Sequence, residues 1–466
     1  MKKKTTLIFA ISYLFIIASP IFAQDKNNLT LLDNWHQDSI VSNSSLVRYS
    51  GCWGFEWKEN QYSVIGSTEG THVFQIDNKK LRPIGFIKGK FSSSLVSHRE
   101  FKTYKNYLYS ICDEGYSSLQ IIDLNYLPDS VSLVNSLYLP PFGRAHNLFI
   151  DTSNALLYLC KVTSYLDSML LNPAPMRVFS LVNPETPLLL WEGPNDIAEV
   201  HDIHVRDNEA ILNCGFDGIR IYNFTNPSNP IFTQSIEFYN DQGYNHQGFL
   251  SPDKKTYVFA DENIGMRIKK YYRHNNGSYL FESLFGTKNY QQRTPHNIQC
   301  DNSFVYVAYY NEGLRIFDMR TSPPQEIAFY NTYQPIISEN TSFTMNGAWG
   351  VYKYRDSPHI IVSDRQNGLF LIEFDKESFS IPSEQPQVYP NPSKAGENIY
   401  FRFPNDSYGT KELLIFDAKG KKIKKIISND DSILKTKLKH GFYYLQFNYK
   451  NVFEENQFFH LSLVVI

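Results

Sequence analysis

Cysteine is scarce and odd in number, five in 466 residues, which argues against the paired disulfide framework that staples small secreted domains. Charge of one sign is also lacking, because 45 Lys and Arg stand against 47 Asp and Glu for a net charge of −2. Without a basic excess, nucleic acid is not expected as a partner. Long apolar runs are missing after the N-terminal segment, so no transmembrane span is expected beyond it. Common enzyme signatures are missing too: there is no Gly-x-Ser-x-Gly elbow, no phosphate-cradling glycine loop and no His-Glu-x-x-His pair.

What is present is aromatic and β-forming. Aromatics make up 15% of the chain, with 32 Tyr and 34 Phe, residues that suit pleated, half-buried surfaces. At the start, the basic cluster Met1 to Lys4, the short apolar run Leu7 to Ala18 and the small Ala23 before a polar stretch read as a signal peptide over residues 1–23. An extracellular setting follows.

The organisation comes from an internal repeat. "TPHNIQCDNSFVYVAYYNEGLRIFDM" from Thr294 has counterparts from Glu199, Tyr244 and Ser97, and a partial one from Arg144. Outer copies from Gly51 and Gly347 carry Trp where the others carry His. The anchors Trp53, His98, His146, His201, His246, His296 and Trp349 fall 45 to 55 residues apart, the length of one four-stranded propeller blade. Three strands are visible per copy, and segments such as "PIFTQSIEF" supply the fourth. The seventh copy lacks one, whereas "LTLLDNW" at Leu29 to Trp35 stands orphaned before the first. The expectation is an all-β chain: a seven-bladed propeller over 28–375, with 29–35 completing the last blade so that no sheet edge stays open. A linker over 376–387 and a small C-terminal β-sandwich over 388–466 complete the division.

Two resemblances rest on these residues. "GLRIFD", "GIRIYN" and "SLQIIDL", each followed by a Pro-containing segment, resemble the LVIVD-repeat propellers, in particular the choice-of-anchor B group. The C-terminal "VYPNPSKAGENIYFRF", "ELLIFDAKGKKIKKI" and "HGFYYLQFNY" resemble the sorting domain of the type IX secretion system of Bacteroidota. The matching positions are Tyr389, Pro390, Asn391, Pro392, Gly420, Gly441 and Tyr443. That resemblance implies recognition by the outer-membrane secretion machinery, and a propeller released from the cell or held at its surface.

The recurring histidines admit two readings. As blade-building residues, each imidazole bonds a turn carboxylate or a carbonyl of a neighbouring blade, and repetition in five blades favours this. As a metal centre, His98, His146, His201, His246 and His296 converge on the channel and hold a transition metal. The apolar neighbours on their strand face, such as Leu148 and Ile203, place that side against an adjacent blade. His204, three residues after His201, points to the opposite face of the strand. Calcium has no Asp-x-Asp-x-Asp-Gly loop to support it. Cys112, Cys160 and Cys214 recur 13 or 14 residues after their histidines and read as small core residues.

Recognition is expected where the repeat breaks. The third copy carries "KVTSYLDSMLLNPAPM", Lys161 to Met176, in place of an acidic glycine turn. Its apolar Tyr165, Leu166, Met169, Leu170 and Leu171 form a candidate partner-binding loop. The sequence thus points to a binding module for a protein or glycan ligand. A metal-dependent hydrolase or lyase built on the histidines and a purely structural surface protein are the alternatives.

Overall fold

In the computed structural model, described for residues 26–166, 169–274, 276–333, 345–376, 386–389, 391–404, 407–429, 433–450 and 456–466, short strands alternate with tight turns and no α-helix occurs among the described residues. Seven antiparallel sheets form between residues 26 and 373, each ordered innermost to outermost. The fourth sheet is representative: Asp202–Arg206, Glu209–Asn213, Ile219–Asn223 and Ile231–Ile236. The innermost strands touch in succession around the circle, and Ala348–Lys353 of the seventh sheet touches Tyr49–Trp57 of the first. This is a closed seven-bladed propeller.

The sequence dictates the layering. Middle strands such as Phe304–Ala308 and Leu314–Asp318 are buried at every position, because each blade is covered on both faces by its neighbours. The core therefore lies between blades: Ile121 of blade 2 packs with Leu148, Leu157 and Phe179 of blade 3, and Tyr158 of blade 3 with Ile203 and Leu212 of blade 4. Outer strands such as Ile231–Ile236 are exposed or half-buried throughout. At Gly313 in the acidic turn of blade 6, φ is +74° and an added Cβ would lie 2.2 Å from the Tyr330 carbonyl, so only glycine fits.

Closure uses the start of the propeller. Thr30–Trp35 pairs antiparallel with Gly368–Glu373, from Thr30 opposite Glu373 to Trp35 opposite Leu369. The indole of Trp35 packs on Tyr49, His72 and Phe74 of blade 1. One strand thus completes blade 7 and also fastens it to blade 1. Ahead of it, Lys26–Asn27 adds a fifth strand to blade 6 by pairing with Phe329 and Tyr330.

The C-terminal region forms two further sheets. One holds Gln387–Tyr389, Ile399–Arg402 and Ile433–Thr436; the other holds Lys422–Ser428, Tyr408–Asp417, Gly441–Lys450 and Asn456–Val465. Their inner faces share Ile399, Phe401, Leu413, Ile415, Leu445 and Phe447, which makes a small β-sandwich.

Truncating the closing indole, Trp35→Ala, is expected to cost roughly 3 kcal/mol, read as a lower urea midpoint. An unchanged midpoint would mean that this strand does not hold the ring shut.

Candidate functional site

Six aromatic rings meet where the innermost strands begin. Centroid distances run 4.1 Å from His98 to His146, 4.1 Å to His201, 4.3 Å to His246, 4.4 Å to His296 and 4.2 Å to Trp349, with 5.4 Å from Trp349 back to His98. All five sequence-predicted histidines are brought together. Their strand neighbours Leu148 and Ile203 do pack against the preceding blade, as alternation requires. The imidazoles escape that alternation because His98, His146, His201 and His296 precede the regular strands, while His246 and Trp349 sit in β-bulges that re-aim a side chain.

Blade 1 departs from the sequence-based alignment. Trp53 is not in the circle; it packs on Tyr352 at 4.8 Å and donates its Nε1–H to Thr103. The bulge of blade 1 instead contains Gly51, where an added Cβ would lie 2.4 Å from Oε1 of Glu100. The space that glycine leaves is filled by the Glu100 carboxylate, which accepts a bond from Trp349 Nε1 at 3.2 Å and lies 3.5 Å from His98 Nε2. Glu100 closes the gap between Trp349 and His98.

Hydrogen bonds fix the imidazole tautomers. His201 Nδ1–H donates to the His246 carbonyl at 3.1 Å, and His296 Nδ1–H to the Trp349 carbonyl at 2.6 Å. Each ties one blade to the next and leaves Nε2 with its lone pair. His146 Nδ1–H donates to Asp113 at 2.7 Å. Burial holds His146, His201 and His296 well below the usual imidazole range and pushes His246 down to about 3. His98 differs: burial opposes its charge, but the hydrogen bond and charge of Glu100 raise it above the usual value.

Carboxylates cap the circle on the side where the turns emerge. Glu262 lies 3.7 Å from His246 Nε2 and 3.8 Å from His296 Nε2, accepts the Tyr310 hydroxyl, and is raised by burial. Glu199 takes Lys161 and the Tyr244 hydroxyl, and the Tyr244 ring stands edge-on to His201. Among the described residues, two groups have ligand atoms mutually close enough for a metal: His98, Asp113 and His146, and His201, His246 and Glu262.

Other candidate residues are placed differently. His204 lies in a separate layer between Phe149 and Phe249, in line with its opposite-face position. The segment expected to be a loop in blade 3 continues the sheet: Leu156–Leu166 and Met169–Ser180 pair as far as Leu166 opposite Met169. Tyr165 packs edge-on against Tyr116, while the side chains of Leu166, Met169, Leu170 and Leu171 lie outside the described residues. All five cysteines are free and buried, and burial pushes Cys52 and Cys112 up to about 12. In blade 5, the cations of Ile268–Arg273 are matched internally, for instance Lys269 by Asp261 and Arg273 by Glu209. Sequence reasoning missed Glu100. The legible signal was a charge two residues after the anchor, where other blades carry Leu148, Ile203 or Ile298.

Residues 387–458 match the model of the secretion system C-terminal sorting domain. The chain is therefore marked for export by the type IX system, whose machinery reads this domain. Within it, Asn391 donates to the Ser462 carbonyl at 2.9 Å and accepts from Val464 N–H at 3.1 Å, pinning the start of the domain to its last strand. Gly420 occupies a turn with φ +78°, and the Tyr443 hydroxyl donates to the Lys439 carbonyl. The side chain of Tyr389, and Pro390, lie outside the described residues, as does the expected signal peptide.

No curated protein matches this chain. Among solved structures, two of the extracellular domain of a putative one-component or hybrid two-component system from B. thetaiotaomicron are similar. They show 11% and 12% identity with TM-scores of 0.46 and 0.47, covering 93% and 95% of this chain and 60% of theirs. This chain thus spans three fifths of those proteins. A computationally designed protein, Ika8, is similar at 9% identity and a TM-score of 0.44, over 70% of this chain and 96% of its own.

Two substitutions test this geometry. Gly51→Ala forces a methyl group against Glu100 and the Arg99 carbonyl and is expected to cost about 2 kcal/mol, measured by urea unfolding. Asn391→Ala removes both bonds to the last strand and is expected to lower the fraction of protein outside the cell, measured by immunoblot of medium and cell fractions. Unchanged export would show that this contact is dispensable for sorting.

Proposed function

We propose that this chain is a propeller of the LVIVD-repeat, choice-of-anchor B kind, which binds a glycan at its histidine end after export. In an antiparallel blade, the start of the first strand, the turn between second and third strands and the link to the next blade share one end of the ring. Leu95, Tyr116, Tyr138, Leu139, Phe216 and Phe238 all lie in these connections and are exposed, Phe216 by 76% and Phe238 by 88%. In the turns at the other end, the large apolar side chains exposed among the described residues are Tyr126 and Val182.

That asymmetry carries the reading, because clustered exposed apolar groups around a polar mouth mark interaction surfaces. The mouth supplies acceptors in Glu114, Glu199 and Glu262. Sugar hydroxyls donate to carboxylates, while the apolar faces of sugar rings lie against aromatic side chains.

The test is retention of the purified full chain on a panel of immobilised polysaccharides, beside the Phe216→Ala, Phe238→Ala double variant. Binding at least tenfold weaker in the variant, with its melting temperature essentially unchanged as expected for exposed sites, would support the reading. Failure of the wild type to bind any polysaccharide, or equal binding by the variant, would overturn it.

A further inference from the structure

We propose that His201, His246 and Glu262 form a binding site for a divalent transition metal at the mouth of the channel, with zinc the ion it fits best. This goes beyond glycan binding and does not depend on the aromatic rim. The three residues come from blades 4 and 5, and their ligand atoms lie within 4.8 Å of one another. A tetrahedral ion with bonds of about 2.0–2.1 Å needs donors ~3.4 Å apart. The 3.7 Å between His246 Nε2 and Glu262 Oε2 is within a small side-chain adjustment of that spacing.

The surroundings are those a metal ligand needs. His201 donates Nδ1–H to a main-chain carbonyl, which fixes its tautomer and leaves Nε2 unprotonated. Tyr310 donates to Oε1 of Glu262, so Oε2, the oxygen nearer His246, remains free to coordinate. His246 is 3% exposed, and its Nε2 is turned toward Glu262. His296 stands beside the trio with the same tautomer, its Nε2 3.8 Å from Glu262. Two imidazoles and one carboxylate leave at least one coordination position for water or a ligand hydroxyl.

The second grouping, His98, Asp113 and His146, is weaker on the same criteria. There Asp113 is already bonded to His146 at 2.7 Å, and His98 faces Glu100. These contacts tie up the groups that would bind an ion.

The experiment equilibrates the untagged full chain with zinc, removes free ion and measures bound zinc by elemental mass spectrometry. Affinity is then read by competition with a chromophoric chelator. The wild type is expected to retain about one equivalent. Glu262→Gln, which preserves size and can still accept from Tyr310, and His246→Ala are each expected to bind at least tenfold more weakly, whereas Asp113→Asn binds like the wild type. No zinc on the wild type, full affinity in Glu262→Gln, or equal loss in Asp113→Asn would overturn the assignment. If His246→Ala fails to fold by circular dichroism, Glu262→Gln decides alone. Polysaccharide binding without zinc, or zinc binding without polysaccharide, separates this inference from the proposed function.

Discussion

The pairing of Thr30–Trp35 with Gly368–Glu373 is the constraint on which the rest depends. Those segments are more than 300 residues apart in sequence, yet they form one continuous ladder. Once it forms, the innermost strand of blade 7 lies against that of blade 1, and the seven strand starts are drawn toward a common axis. A ring left open there would expose the third strand of blade 7 as an unpaired edge. It would also separate Trp349 from Glu100 and His98, the contacts that complete the circle of side chains.

Closure in turn creates a packing problem at the axis. Seven strand starts surround a space at the axis that side chains must occupy. Five imidazoles, one indole and one carboxylate fill it. Each ring lies against its neighbours at centroid distances of 4.1–5.4 Å, and His201 and His296 donate to the next blade. Gly51 is the exception that the arrangement requires, because any side chain there would displace Glu100. A glycine in one blade and a glutamate in the next are thus two halves of one fitting.

Much of the fold was legible because a repeated unit repeats its physics. Apolar alternation, the glycine of the acidic turn and the anchor residue each recur, so errors in one copy are corrected by the others. Legibility failed where a copy departs from the rest. Trp53 looked equivalent to Trp349 by composition, but the blade 1 bulge lies at Ser50 and Gly51, ahead of Trp53, and puts Gly51 against Glu100 instead. Strand alternation correctly placed Leu148 and Ile203, and it misled for the imidazoles, which precede the strands or, at His246, sit in a bulge. The blade 3 segment looked like a loop because it stands in place of the acidic glycine turn, yet its residues pair across a long hairpin.

The same contrast bears on what the histidines are for. Repetition was an argument for a structural role, since chemistry needed once has no reason to recur five times. The hydrogen bonds from His201 and His296 to neighbouring carbonyls are structural in that sense. They engage Nδ1 alone, however, and by fixing the tautomer they leave Nε2 of each ring available. The two roles therefore do not compete for the same atom. What distinguishes one part of the circle from another is the non-repeated partner: Glu100 beside His98, Asp113 on His146, and Glu262 beside His246 and His296. Repetition builds the circle of imidazoles, and the carboxylates that break the repetition decide where along it an ion can be held.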